Sequence, residues 1–238
     1  MLERGVDAII NEALVTGTFG KDFKFREGQR EVIEAICNHY LEDPEGTIIL
    51  DAPTGSGKSL IAMWSAHVLK ELGKRGYLVT SDLMLQDQYE EDFKRLKLNW
   101  PSIRGVDNYN CNVNDLPFSL ADCKMKGIGY EAAEKLPCWG TCGYLQGRKR
   151  AKELPVALFN YSYYLIQRNY VEDKMQEQDR EVPFPIRDFV FFDEAHKVDS
   201  IVQSHFSPRI DRTTSKIFKE VNKFIQKHGL QAAWVSDN

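Results

Sequence analysis

Long apolar runs are missing from this sequence. Stretches such as Thr47–Leu50 and Phe189–Phe192 fall far short of the ~20 residues a transmembrane helix needs. The N-terminal Met1-Leu2-Glu3-Arg4 opens a mixed acidic segment without a signal-peptide core, so an intracellular location is expected, with no membrane partner. An excess of positive charge is also missing: 31 Lys and Arg stand against 35 Asp and Glu, a net charge of −4. No global basic field attracts nucleic acid, and any such contact must come from a local patch. Cysteine is scarce, five in 238 residues. In a reduced compartment those cysteines read better as ligands or core residues than as disulfides. No internal repeat and no low-complexity linker interrupts the chain. What is present, 42% hydrophobic and 28% charged residues, is the make-up of a globular protein. The length allows one large or two small domains around a substantial core.

Residues 1–40 carry helical spacing at Val6, Ile9, Ile10 and Ala13, then at Val32, Ile33 and Ile36. Glu45-Gly46 is a turn signal before Thr47–Leu50, a short apolar run expected to be a buried strand. A glycine-rich loop over Asp51–Lys58 precedes a periodic helix to about Leu72, closed by Gly73 and Gly76. Tyr77–Thr80 is a second predicted strand, and a helix is predicted from about Asp82 to Leu96. This strand–loop–helix–strand–helix rhythm is that of a parallel α/β sheet. It breaks over residues 100–150, which are loop-rich and hold four of the five cysteines. Strand signals return at Val156–Phe159 and Phe189–Phe192, with a helical Tyr161–Arg168 between them. Residues 171–182 are highly charged and read as a solvated excursion; Ile217, Val221, Phe224 and Ile225 give the tail helical spacing.

The segment Ala52-Pro53-Thr54-Gly55-Ser56-Gly57-Lys58-Ser59 lies between a predicted strand and a predicted helix, the context a phosphate-binding P-loop requires. Gly55 and Gly57 let the backbone wrap closely around phosphates and present N–H groups at a helix N-terminus. Lys58 would reach the β- and γ-phosphates of ATP, and Ser59 would ligate Mg²⁺. The general pattern begins with glycine where this chain has Ala52, whose small side chain still permits close approach. Downstream, Phe189–Phe192 runs straight into Asp193-Glu194-Ala195-His196. A carboxylate at the end of a strand beside the P-loop strand can hold the nucleotide's Mg²⁺, the role given to Asp193. Glu194 is then placed to orient or deprotonate the attacking water, and His196 to sense the γ-phosphate.

Taken together the motifs resemble those of superfamily 2 helicases, specifically the XPD/DinG group with its Asp-Glu-Ala-His box. Phe25-Arg26-x-x-Gln29 resembles the adenine-reading Q motif, which implies that Arg26 and Gln29 belong to the nucleotide site and that Gln29 contacts the base. Thr80-Ser81-Asp82-Leu83 with Gln86 looks like motif Ia, and Leu158–Leu165 looks like the family's strand-to-helix segment with its Asn160-Tyr161 pair. The resemblance covers roughly residues 23–205, with the motifs in the family's order.

Cys111, Cys123, Cys138 and Cys142 fall in one 32-residue window with the spacing C-x11-C-x14-C-x3-C. Four thiolates complete either a zinc site or an iron–sulfur cluster, and spacing alone does not choose between them. A short loop-rich insertion has little core of its own, so a metal centre would supply cross-links. The resemblance implies a [4Fe–4S] cluster, because Gly105-Val106-Asp107-Asn108-Tyr109-Asn110-Cys111 looks like the approach to the family's iron–sulfur domain. The remaining Cys37 fits an apolar helix face and reads as a core residue.

Near the cysteines run Arg148-Lys149-Arg150-Ala151-Lys152 and, around Cys123, Lys124 and Lys126, with Tyr130, Trp139 and Tyr144 interspersed. Cations for phosphates and aromatic faces for bases make a track for single-stranded DNA, set against the bland reading of a solvated charged helix. The resemblance adds Thr80, Ser81 and Asn160 as strand contacts. It also implies a second motor lobe supplying an arginine finger; neither a finger motif nor a Ser-Ala-Thr motif is found in this sequence. Gln146-Gly147-Arg148-Lys149-Arg150 has the wrong spacing and place for the finger.

The expected architecture is α/β: a RecA-like lobe with a P-loop over residues 1–100 and 151–203. The four-cysteine module is inserted at 101–150, and the start of a helical arch domain occupies 204–238. The expected activity is that of an ATP-dependent 5′→3′ DNA helicase, with this chain unable to unwind without the second lobe. Two rivals stand beside it: a non-enzymatic nucleotide- and DNA-binding module, and a zinc-containing P-loop ATPase.

Overall fold

In the computed structural model, residues 5–168 and 184–206 are described, with the isolated positions Glu220, Lys223 and Lys227. The charged stretch 171–182 and most of the predicted tail helix lie outside the described residues. The chain divides into two compact units, residues 1–201 and 202–238. Of the second unit, the described residues are the end of one helix and the three isolated helical positions. Among the described residues no helix is long and apolar enough to cross a membrane.

The first unit is built on a three-stranded parallel sheet of order β2-β1-β3: β1 is Gly76–Thr80, β2 Val156–Asn160 and β3 Phe189–Phe192. The register sets Thr80 opposite Asn160 and Val79 opposite Phe192, so the strands end along one edge. Successive side chains alternate between faces. Leu78, Val156, Leu158, Phe189 and Phe191 go to one side, with Tyr77, Val79, Ala157, Phe159 and Val190 on the other. A parallel sheet needs cover on both faces. Helices α1 (Val6–Thr16), α2 (Gln29–Glu42) and α3 (Lys58–Glu71) cover the first, together with Phe93 of α4 (Leu83–Arg95). Trp64, fully buried on α3, is the hub there and stacks on Phe19 at 3.9 Å.

The second face is covered by the cysteine-bearing region. After short helices α5 (Asp122–Met125) and α6 (Tyr130–Ala133) come α7 (Gly143–Glu153) and α8 (Tyr161–Ile166), with α9 (Val198–Phe206) beyond β3. Ile103, Phe118, Ala121, Tyr144 and Leu145 pack into one cluster with Tyr77, Val79 and Phe159 of the sheet. This region therefore shares the sheet's core instead of building its own. Its first residues also extend the sheet: Ile103 N–H donates to Leu158 O, and Leu158 N–H to Pro101 O.

Arg187 locks the opposite end of the sheet. Its guanidinium is buried over the Tyr77 ring at 4.3 Å and donates to the carbonyls of Gly76, Pro155, Ala151 and Lys152. Burial brings its pKa down to about 10.

One sequence expectation is corrected. Thr47–Leu50 is not a strand, and β3 is hydrogen-bonded to β1 alone, not to a P-loop strand. Ile49 is 88% exposed, with none of the cover that a buried strand requires. A short apolar run becomes a strand only when a ladder partner lies beside it, and periodicity carries no information on the partner.

Candidate nucleotide-binding and catalytic site

The loop ahead of α3 is shaped by two glycines with left-handed backbone, Gly55 at φ 83° and Gly57 at φ 86°. At Gly57 space forbids a side chain as well, since a Cβ there would sit 2.5 Å from Gln29 Nε2. The loop is tied from outside by the segment entering α2. Gln29 Nε2 donates to Ser56 O at 2.8 Å, and Arg26 Nη1 donates to Gly55 O at 2.5 Å. The Arg26 N–H closes the circuit by donating to Gln29 Oε1 at 2.9 Å. The predicted cofactor residues Arg26, Gln29 and Ala52–Ser59 are thus one assembly. Gln29 is buried and its amide holds the loop, a use that the expected base contact did not include. Lys58 Nζ arches back to Ala52 O at 2.9 Å, which keeps its ammonium over the loop. Ser56 Oγ is buried without a hydrogen-bond partner in the same loop.

Asp193 comes directly after β3, its N–H continuing the ladder to Val79 O at 2.9 Å. Its carboxylate meets the first turn of α3, where Ser59 Oγ donates to Asp193 Oδ2 at 3.1 Å across 134 residues of sequence. The two predicted Mg²⁺ ligands are therefore adjacent, and their hard oxygens suit that ion. Two further groups join that were not foreseen. Tyr89 of α4 donates to the same Oδ2 at 2.9 Å, and Tyr161 of α8 donates to the Asp193 carbonyl at 3.1 Å. Burial and the neighbouring Asp193 push both phenols well above their ordinary pKa, so they stay protonated donors. The signal available in the sequence was faint: a buried tyrosine needs a partner for its hydroxyl, but nothing says which.

Glu194 adopts a left-handed backbone at φ 56°, a conformation that costs a non-glycine residue about 1–3 kcal/mol. The bend turns the chain out of β3 and sets His196 Nδ1 3.4 Å from Glu194 Oε2. Lys197, the next residue, donates to Ser81 Oγ at 3.3 Å and lies 3.5 Å from Asp82 Oδ2, tying the box to the end of β1. Lys197 was also missed from sequence.

The expected strand contacts divide. Ser81 is partly exposed, whereas Thr80 is fully buried and Asn160 only 7% exposed. Thr80 Oγ1 donates to Asp82 O, and Asn160 caps α8 through Tyr163 N–H while donating to Gln86 Oε1. Both side chains are buried and hydrogen-bonded within the fold. Arg148, Lys149 and Arg150 are consecutive on α7, and helix geometry turns each ~100° from the last. Arg148 lies over the Phe184 ring, Lys149 faces Glu153 at 4.0 Å, and Arg150 donates to Asn99 at 2.6 Å, so the run is no single stripe. Lys126 pairs with Asp122 at 3.5 Å and Lys124 is exposed.

All four insertion cysteines are free thiols, Cys111 and Cys142 buried, Cys123 and Cys138 partly so. Burial, and then the proximity of Cys138 and Cys123, raise the Cys142 pKa. Asn112, beside Cys111, donates to Thr141 O, beside Cys142. The cysteines thus share one region, yet among the described residues no group of three or more His, Cys, Asp or Glu is placed to hold a metal ion. Cys37 is buried on α2 as expected, with its pKa pushed up to about 12 by burial.

The sequence profile of the family described as "Type III restriction enzyme, res subunit" matches residues 22–228. The chain belongs to this family. No curated protein sequence matches it. Membership in the type III restriction res-subunit family makes the chain a superfamily 2 helicase-like ATP-binding domain. The small parallel sheet with its flanking helices is consistent with a RecA-like lobe. An ATP- and Mg²⁺-using, nucleic-acid-directed hydrolase is the activity this family supports.

Proposed function

We propose that the chain is the nucleotide-binding lobe of an ATP-dependent DNA helicase of the XPD/DinG type. With a second motor lobe it would hydrolyse ATP to move 5′→3′ along single-stranded DNA. The observation that carries the reading is the meeting of Ser59 and Asp193 at 3.1 Å, which joins the P-loop helix to the Asp-Glu-Ala-His box. In this reading the Gly55–Lys58 backbone and Lys58 hold the phosphates, and Ser59 and Asp193 hold Mg²⁺, which offsets charge developing on the transferred phosphoryl group. Glu194 takes the proton of the attacking water, and His196, beside it, reports the state of the γ-phosphate.

The reading also assigns Cys111, Cys123, Cys138 and Cys142 to a [4Fe–4S] cluster. A single tetrahedral ion needs its sulfurs within about 4 Å of one another. Four soft thiols complete either centre, and the choice of the cluster rests on the resemblance of Gly105–Cys111 to the approach to the family's iron–sulfur domain. Such a cluster would cross-link the insertion. Ser81, Lys124, Lys126, Arg148, Lys149 and Arg150 remain as contacts for a DNA strand.

Nucleotide binding by this chain, lost in Lys58→Ala, is the first test. In an enzyme reconstituted with its second lobe, Glu194→Gln should bind ATP but not turn over. Turnover that survives Glu194→Gln removes the hydrolytic assignment and leaves a binding module. ATP-driven unwinding by this chain alone would contradict the need for a second lobe. Protein purified without oxygen should carry iron and sulfide, each near four per chain; a colourless protein with one zinc sinks the cluster and the XPD/DinG assignment with it.

A further inference from the structure

Asp193 is held by more groups than metal binding and strand pairing require. Its Oδ2 accepts from Ser59 and from Tyr89, while its Oδ1 accepts the Glu194 N–H at 3.0 Å. Tyr89 reaches it from α4, an element with no nucleotide motif of its own. The side chain is 2% exposed, and its ring packs against Phe93 at 6.0 Å. Packing alone would be served by phenylalanine. The hydroxyl lies inside the core and is directed at the carboxylate that also accepts from Ser59 of the P-loop helix.

We propose that Tyr89 is a positioning residue for the nucleotide's divalent cation. By donating its hydroxyl proton to Asp193 Oδ2, it fixes the carboxylate in the orientation that, with Ser59, receives the ion. The inference rests on the ATP-binding reading above and adds a residue to it. A carboxylate at the end of a strand has rotamers to lose when it ligates a metal. Donors on both its oxygens remove that freedom before the ion arrives. Loss of such an outer partner typically costs 10–100-fold in metal affinity.

The test is ATP affinity by calorimetry on this chain, in EDTA and then across a Mg²⁺ titration. Wild type should bind more tightly as Mg²⁺ rises. Tyr89→Phe should match wild type in EDTA and need about 10–100-fold more Mg²⁺ for half of that tightening. In an Asp193→Asn background, Tyr89→Phe should add nothing, because it acts through the carboxylate. An unchanged Mg²⁺ midpoint overturns the positioning role and leaves ATP binding intact. An equal loss in both backgrounds, or in EDTA, also overturns it and marks Tyr89 as packing only. Wild type that binds no ATP under any condition removes the functional reading and this role together. Should Tyr89→Phe fail to fold, tyrosine labelled with ¹³C at Cζ gives a second readout in the unaltered chain. The Tyr89 signal should shift when Mg²⁺ is added to the ATP complex, and a signal that stays still overturns the role.

Discussion

Gly57 carries two constraints that can be separated by experiment. Its φ of 86° is left-handed, which costs an L-residue about 1–2 kcal/mol. Its missing Cβ also leaves room for Gln29, whose Nε2 would lie 2.5 Å from the added atom. In Gly57→Ala that amide must move, abandoning Ser56 O and leaving a buried polar group unpaired, at about 1–3 kcal/mol. The expected loss is therefore about 2–5 kcal/mol. Gly55→Ala is the internal control: its φ of 83° is equally left-handed, but no atom lies within 4 Å of the added Cβ, so only the conformational cost applies. Urea unfolding tracked by tryptophan fluorescence would compare the two variants. The excess loss in Gly57→Ala should shrink in the Gln29→Ala background, since the clash is then gone. Equal losses for the two glycine variants, or full additivity with Gln29→Ala, would refute the claim that Gln29 braces the phosphate loop.

Stability should also depend on acidity through His67, which is buried beside Phe19 and Trp64 and has its pKa brought down to about 4, chiefly by burial. The unfolded imidazole binds its proton near pH 6.5 and the folded one only near 4, so stability holds above 6.5 and falls as pH drops between those values, by about 3 kcal/mol in total. Unfolding of His67→Leu measured across that window should be flatter, and an unchanged slope would assign the dependence elsewhere. Arg187→Met should cost about 2–4 kcal/mol in the same urea assay, because the carbonyls of Gly76 and Ala151 lose a buried donor, while Pro155 O keeps the Gly76 N–H and Lys152 O keeps Arg75. A loss under about 1 kcal/mol would mean that the carbonyls find other partners.

What could be read from the sequence was chemistry tied to residue identity within a short stretch. The P-loop needs glycine where the backbone turns left-handed and a lysine at the helix start, and both stand where expected. The Asp-Glu-Ala-His box needed only a strand ending in a carboxylate. Facts about neighbours distant in sequence were not legible. Thr47–Leu50 has the composition of a strand but no ladder partner, and Thr80 and Asn160 have the polarity of contact residues but face inward. The basic run on α7 reads as one patch in a line of text and points three ways on a helix.

The missed residues have a common origin in the sheet. Parallel strands in register end together, with Thr80, Asn160 and Phe192 along one edge, and the segment leaving each strand is delivered to that edge. After β1 come Ser81, Asp82 and α4 with Tyr89; after β2 comes Tyr161; after β3 come Asp193, Glu194 and Lys197. Tyr89 and Tyr161 therefore reach Asp193 by topology, and Lys197 reaches Ser81 and Asp82 by the same route. Crevices at the carboxyl ends of parallel strands are where α/β sheets bind ligands. The first residues after each strand, and the polar tips of buried side chains on the next helices, are thus the places to look for further site residues. A motif search ranks Tyr89 no higher than any core aromatic; its place in this sheet puts it beside Asp193.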